Sequence, residues 1–260
     1  MFKKIRIIVL LLILASVSST LLLQKNITHD WQGTLDIRII PVIADQKEQT
    51  SSFVNSLKTR QFQNIERYLT AQAKRYKLNL NNSLNIQLEA PISNIPPTVP
   101  QAGASRLSII LWSLKLKWWA WQNQPSDHHI AQIRIYILYQ SPDDGISLPH
   151  STGLQNGLIG LVNARAVGTR RSLHQVIITH ELLHIFGASD KYNLENGQAI
   201  YPDGYAEPNK KPLYPQLKAE IMGRSIPLNT TKLQIARSLN QTLIGEITAA
   251  EIGWLNTNSH

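Results

Sequence analysis

An α/β fold, a mixed twisted sheet packed with helices behind one N-terminal transmembrane helix, is predicted for this chain by three observations. Strand and helix patterns alternate between residues 35 and 166, an apolar helical pattern follows over 172–186, and an uncharged apolar run fills 7–23. Alternation of this kind builds a sheet with helices on its faces, the α+β arrangement, because each element must bury its apolar side against another. The apolar run has a different solvent in view.

Lys3, Lys4 and Arg6 precede that run, and no further charge follows until Lys25. At about 1.5 Å per residue it reaches about 26 Å, close to the thickness of a bilayer core. Positive residues stay cytoplasmic, so everything beyond residue 25 is expected on the extracytoplasmic side. A signal peptide cleaved after Ser19 is the alternative, which Leu21, Leu22 and Leu23 oppose by carrying the apolar run past that point. The expected organisation is a signal anchor over 1–25 and one domain over 26–260. The chain has no cysteine, which excludes a lipoprotein anchor, disulfides and thiolate metal sites. Four cations of the +9 net charge lie in the first 25 residues, which hold no acid, leaving about +5 for the rest. That excess is scattered, suits an anionic envelope surface, and gives no reason to expect a nucleic-acid partner.

Within the domain, 35–42 reads as a strand with Pro41 near its end, and 51–76 as one long helix. Residues 84–88 alternate as a strand does, and a proline-rich turn over 91–100 leads to a second helix over 104–122. A strand over 130–139, closed by Ser141-Pro142-Asp143-Asp144-Gly145, and another over 157–166 follow. Helix 104–122 holds Trp112, Trp118, Trp119 and Trp121, four of the six tryptophans. Ile109, Trp112, Leu116 and Trp119 form one helical stripe, and Ile110, Leu114, Trp118 and Trp121 its neighbour. One wide core face is the expectation for both. Contact with a membrane interface, helped by Lys115 and Lys117, is the alternative.

The helix expected over 172–186, capped by Ser172, carries Leu173, Ile177, Ile178, Leu182, Leu183 and Phe186 at near-helical spacing. His180 and His184 lie one turn apart on one face and can hold a single ion, with Glu181 beside them as a base for bound water. Gly187, free to adopt a left-handed conformation, can end the helix and return Asp190 as third ligand. Later acids, Glu195, Asp203 or Glu220, are the alternatives. His174 points about 120° away from His180 on the same helix and is expected to be structural or at the surface. His128 and His129 belong to a polar turn, with a second metal there as the alternative, and His150 is a candidate substrate contact.

HExxHxxGxxD, running from His180 to Asp190, resembles the metzincin clan of zinc peptidases, in which the glycine precedes the third ligand and a later methionine turn lies beneath the metal. Glu220-Ile221-Met222-Gly223 looks like that turn, and Met222 is one of only two methionines. The aspartate variant is similar to snapalysin-like peptidases, and the extension to Tyr192 resembles the immune inhibitor A group. The resemblance implies a zincin-like fold, a Zn2+ cofactor on His180, His184 and Asp190, and Glu181 as the catalytic base of a metalloendopeptidase. Several metzincins place a tyrosine two residues after the methionine. Arg224 stands there instead, so Tyr192, Tyr201, Tyr205, Tyr214 and Arg224 remain candidates for the oxyanion donor, with packing as their alternative. The long connection 193–219, rich in proline and glycine, is expected to wall the substrate cleft. A peptide or protein substrate is expected to lie as an extended strand against an edge near 157–166. A zinc-stabilised binding module without turnover and a hydrolase of a non-peptide amide are the alternatives.

Overall fold

In the computed structural model, residues 31, 33–80, 84–100, 103–124, 133–142, 148–155 and 157–255 are described. The expected anchor over 1–25 lies outside them, as do His128, His129 and the ends of the expected strand and turn over 130–145. Among the described residues no helix is long and apolar enough to cross a membrane.

Strand β1 (Leu35–Ile43) leads to helices α1 (Glu48–Asn55) and α2 (Gln63–Arg75), then to β2 (Leu84–Leu88). The single helix expected over 51–76 is therefore two. The break comes where the Ser56 hydroxyl donates to the Phe53 carbonyl, and the chain turns so that Leu57 and Phe62 enter the core. A side chain that satisfies the backbone locally offers it a way out of the helix. Helix α3 (Arg106–Gln122) starts at Ser105, whose hydroxyl accepts from the Ser108 amide at 3.2 Å. Strands β3 (Ile133–Gln140), β4 (Thr152–Leu154) and β5 (Ile159–Arg165) precede helix α4 (Arg171–Ile185). A 3-10 turn at Gly168–Arg170 runs straight into α4, so Ser172 lies inside the first turn and does not cap it.

The sheet is mixed, in the order β2-β1-β3-β5-β4, with all pairs parallel except β4 against β5. This corrects the expected edge: β5 lies inside the sheet and the three-residue β4 is its outer strand. The reason is a tight reversal between Leu154 and Ile159 that folds β4 back along β5.

Alternate residues of the strands serve two cores, as the period of two demands. Ile37, Ile39, Ile135, Ile137 and Val162 face Ile65 and Leu69 of α2 and Ile178, Leu182 and Ile185 of α4. Ile40, Val42, Tyr136, Ile159 and Leu161 face Trp112, Leu116 and Trp119 of α3. The result is three layers, with α4 and α3 on opposite faces of the sheet. Only the first of the two stripes on α3 is core, and even there Ile109 is exposed; Ile110, Leu114, Trp118 and Trp121 also face solvent. A helix apolar all round gives no sign in its own sequence of which side meets the sheet.

After α4 the chain is mostly loop. Short strands β6 (Ala219–Glu220) and β9 (Thr242–Leu243) pair in parallel, β7 (Ser225–Pro227) and β8 (Leu233–Ile235) pair antiparallel, and helix α5 (Glu246–Glu251) follows.

Candidate metal centre

Helix α4 stops through a backbone device that also builds the site. Gly187 has φ +104°, the Ala188 amide donates to the Leu183 carbonyl at 2.9 Å, and the Gly187 amide donates to that of His184 at 3.0 Å. These are the paired bonds of a Schellman turn, and a residue without Cβ takes the left-handed position at no steric cost. The turn brings Asp190 back over the helix. Its Oδ1 lies 3.1 Å from His180 Nε2 and 3.2 Å from His184 Nε2, and the two Nε2 atoms are 3.1 Å apart. His180, His184 and Asp190 can hold a metal ion, and among the described residues no other such cluster occurs. His180 is buried, His184 half-buried and Asp190 exposed, so the centre opens to solvent on the carboxylate side.

The far nitrogen of each imidazole decides what the near one can do. His180 Nδ1 lies 3.0 Å from the Ile221 carbonyl and His184 Nδ1 lies 2.7 Å from the Ala188 carbonyl. A carbonyl oxygen only accepts, so both Nδ1 atoms carry hydrogen, and each ring in its neutral form turns its Nε2 lone pair inward. Two lone pairs and a carboxylate oxygen then converge, and they repel unless a cation lies among them. One proton bridges two of them; a metal ion satisfies all three. Donors on a tetrahedral zinc with bonds of about 2.0–2.1 Å stand about 3.3 Å apart, near the separations seen here. The donor set therefore fits a borderline ion such as zinc.

Charge follows the same logic. Without a cation there, imidazoles in their protonated form take its place: burial alone raises the Asp190 carboxyl, but hydrogen bonds and charge from those rings outweigh it and hold the group well below the usual carboxylate range. For His184, burial pulls downward while Asp190, Glu181 and the Ala188 carbonyl push harder upward. Glu181 is buried next to them, with Oε2 lacking any hydrogen-bond partner, and burial raises its carboxyl despite the two imidazoles. No protein-family model and no curated protein matches this chain. The site's chemistry thus rests on these residues themselves.

Three supports are invisible to local sequence reading. Glu251 of α5 accepts from the Ser189 amide at 3.1 Å, the Ser189 hydroxyl at 2.6 Å and Lys191 Nζ at 2.6 Å, holding both neighbours of Asp190. Glu251→Gln is expected to weaken metal binding about 10- to 100-fold, measured by competition with a fluorescent chelator. Unchanged affinity would show that Asp190 keeps its place without this hold.

The second support is Glu220. As an alternative third ligand it is ruled out by its own bonds: it accepts from the amides of Met222, Gly223 and Gly245 and from the Thr248 hydroxyl, at 2.6–3.0 Å. It thereby shapes the 3-10 turn Ile221–Gly223, whose carbonyls receive His180 Nδ1 and the Lys191 amide, with Met222 fully buried beneath. Glu195 and Asp203 are likewise outside the cluster.

The third is Gly153 in β4. A Cβ there would meet the Glu181 carbonyl oxygen, and the His184 Cβ at 2.8 Å, so the sheet edge passes directly over the turn of α4 that carries His184. Gly153→Val is expected to cost about 1–3 kcal/mol through overpacking against rigid backbone, read from urea unfolding. A stability equal to that of the parent would mean that β4 does not sit this close.

The remaining candidates separate cleanly. Tyr192 lies with its ring 6.3 Å from that of His180, and Arg224, itself left-handed at φ +63°, stacks on it with Cζ 4.9 Å from the ring centroid. Tyr201, Tyr205 and Tyr214 form a separate cluster, with a 2.9 Å contact between the hydroxyls of Tyr205 and Tyr214. His174 is buried beside Tyr139, and burial, aided by Arg170, pushes its imidazole down to about 4. His150 is exposed just before β4, where its carbonyl accepts from Asn163 Nδ2.

Proposed function

We propose that this protein is a zinc-dependent metalloendopeptidase with a zincin-like architecture, held at a membrane by its first 25 residues and acting on the extracytoplasmic side. The observation that carries the proposal is the convergence of three lone pairs from His180, His184 and Asp190 beside a buried, unpartnered Glu181 oxygen. A structural metal site has no use for an adjacent base without a partner.

Bound zinc would supply Lewis acidity, bringing a coordinated water's pKa toward neutrality and polarising the scissile carbonyl. Glu181 Oε2 takes the proton from the attacking water and later returns it to the leaving amine nitrogen. Tyr192, whose ring lies 6.3 Å from that of His180, and Arg224 stacked on it would be the donors for the negative charge that develops on the carbonyl oxygen. The outer edge of β4 offers backbone groups to an extended peptide, which would then lie across Glu181. Ile221 and Ala188 carbonyls hold the imidazoles in the tautomer that the metal requires.

The test measures metal and cleavage together. Purified protein loaded with zinc and dialysed is expected to retain one ion per chain and to cleave a peptide library, and Asp190→Ala to lose both. Absence of bound metal would sink the reading. Stoichiometric zinc with every peptide intact would turn it toward a binding module.

A further inference from the structure

The outer surface of α3 is explained neither by the core nor by the metal centre. Leu107, Ile110, Leu111, Leu114, Trp118 and Trp121 are each half or more exposed. At the helical period they fall within an arc of about 100°, opposite the buried Trp112, Leu116 and Trp119. The rings of Trp118 and Trp121 lie 5.0 Å apart within that arc.

The charges carried by α3 itself have one sign. Between Glu89 and Asp127 the sequence contains no acid, while Arg106 and Lys117 border one side of the arc and Lys115 the other. An apolar stripe with tryptophans, flanked by cations and free of acids, matches the interface of an anionic bilayer, where indole rings sit at headgroup depth and ammonium groups reach lipid phosphates. A protein partner of similar size has no comparable reason to find an acid-free border. The helix is also too short and too charged to cross, which leaves it in the plane of the surface. Because α3 and α4 occupy opposite faces of the sheet, such contact leaves the metal centre clear.

We propose that the outer face of α3 lies flat in the interface of an anionic bilayer, with Trp118 and Trp121 among the headgroups and Lys115, Lys117 and Arg106 on lipid phosphates. The proposal stands apart from the peptidase reading, since no metal ligand takes part.

The cysteine-free sequence permits a clean test. Full-length protein carrying a nitroxide at Leu114→Cys is placed in vesicles of phosphatidylcholine and phosphatidylglycerol, with Lys74→Cys on α2 as the reference site. Oxygen, which concentrates in lipid, is expected to relax the label at 114 several-fold more effectively than a water-soluble nickel chelate, with the reverse at 74. Adding Trp118→Ser and Trp121→Ser is expected to abolish the oxygen preference at 114. Nickel accessibility at 114 equal to that at 74 would overturn the proposal. So would protection from both agents, as expected if the chain's own N-terminal segment covers α3, or dipolar broadening between labels, as expected for a second copy.

Discussion

Glu181→Gln is expected to leave zinc content unchanged and to lower kcat for peptide cleavage by about 10²–10⁴-fold, the usual contribution of a positioned general base. Glutamine fills the same volume but has no carboxylate to take the proton of the attacking water that the proposed mechanism requires. No metal donor is lost, because Glu181 is not among the three converging groups. Stability gives an independent reading in the metal-free protein. Burial raises the folded-state pKa of Glu181 above its unfolded value, so the ionised form costs stability at neutral pH, a cost that disappears as pH falls below the ordinary carboxylate range. The glutamine variant carries no such cost and should unfold at a urea concentration equal to or above that of the parent at pH 7. A variant that retained near-parental hydrolysis would remove Glu181 from the chemistry, whatever its zinc content.

Glu220→Leu is expected to be the most destabilising of the substitutions considered, by about 3–5 kcal/mol. It strands three amide hydrogens and one hydroxyl in a buried site, where each unsatisfied donor costs about 1–3 kcal/mol before the backbone relaxes. Urea unfolding followed by tryptophan fluorescence gives the size of the loss. Zinc affinity should fall with it, because the turn at Ile221–Gly223 orients His180 through the Ile221 carbonyl. Glu220→Gln should fall between the two: one carboxamide oxygen still accepts from one pair of donors, while the amide nitrogen confronts the other. A loss below about 1 kcal/mol for leucine would show that water replaces the carboxylate, contrary to the full burial of Glu220.

The convergence of His180, His184 and Asp190 was legible in the sequence because its geometry is local. Two histidines four apart on an apolar helical pattern, a glycine just beyond it and an aspartate three further on specify contacts that one turn and one reversal can close. Strands with several β-branched residues, such as 35–42, were legible for the same reason. β4 was not: Thr152, Gly153 and Leu154 carry too little pattern to announce a strand, and the glycine reports a close approach to α4 that local spacing cannot express. Glu251 and Glu220 were misread or missed because their partners lie far away along the chain, at Ser189, Lys191, Gly245 and Thr248. For α3 the difficulty was excess: apolar residues on all sides conceal which stripe meets the sheet.

The dependence of Asp190 on Glu251 has a consequence for synthesis. Both imidazoles leave the ribosome long before α5 does, yet both neighbours of the carboxylate that completes their triangle are held by a residue of that helix. A nascent chain that lacks α5 therefore has two of the three converging donors and no hold on the third. The full grip on an ion would come only after α5 has been made and packed against Ser189 and Lys191, beside the 2.8 Å bond from Trp31 to the Ile252 carbonyl.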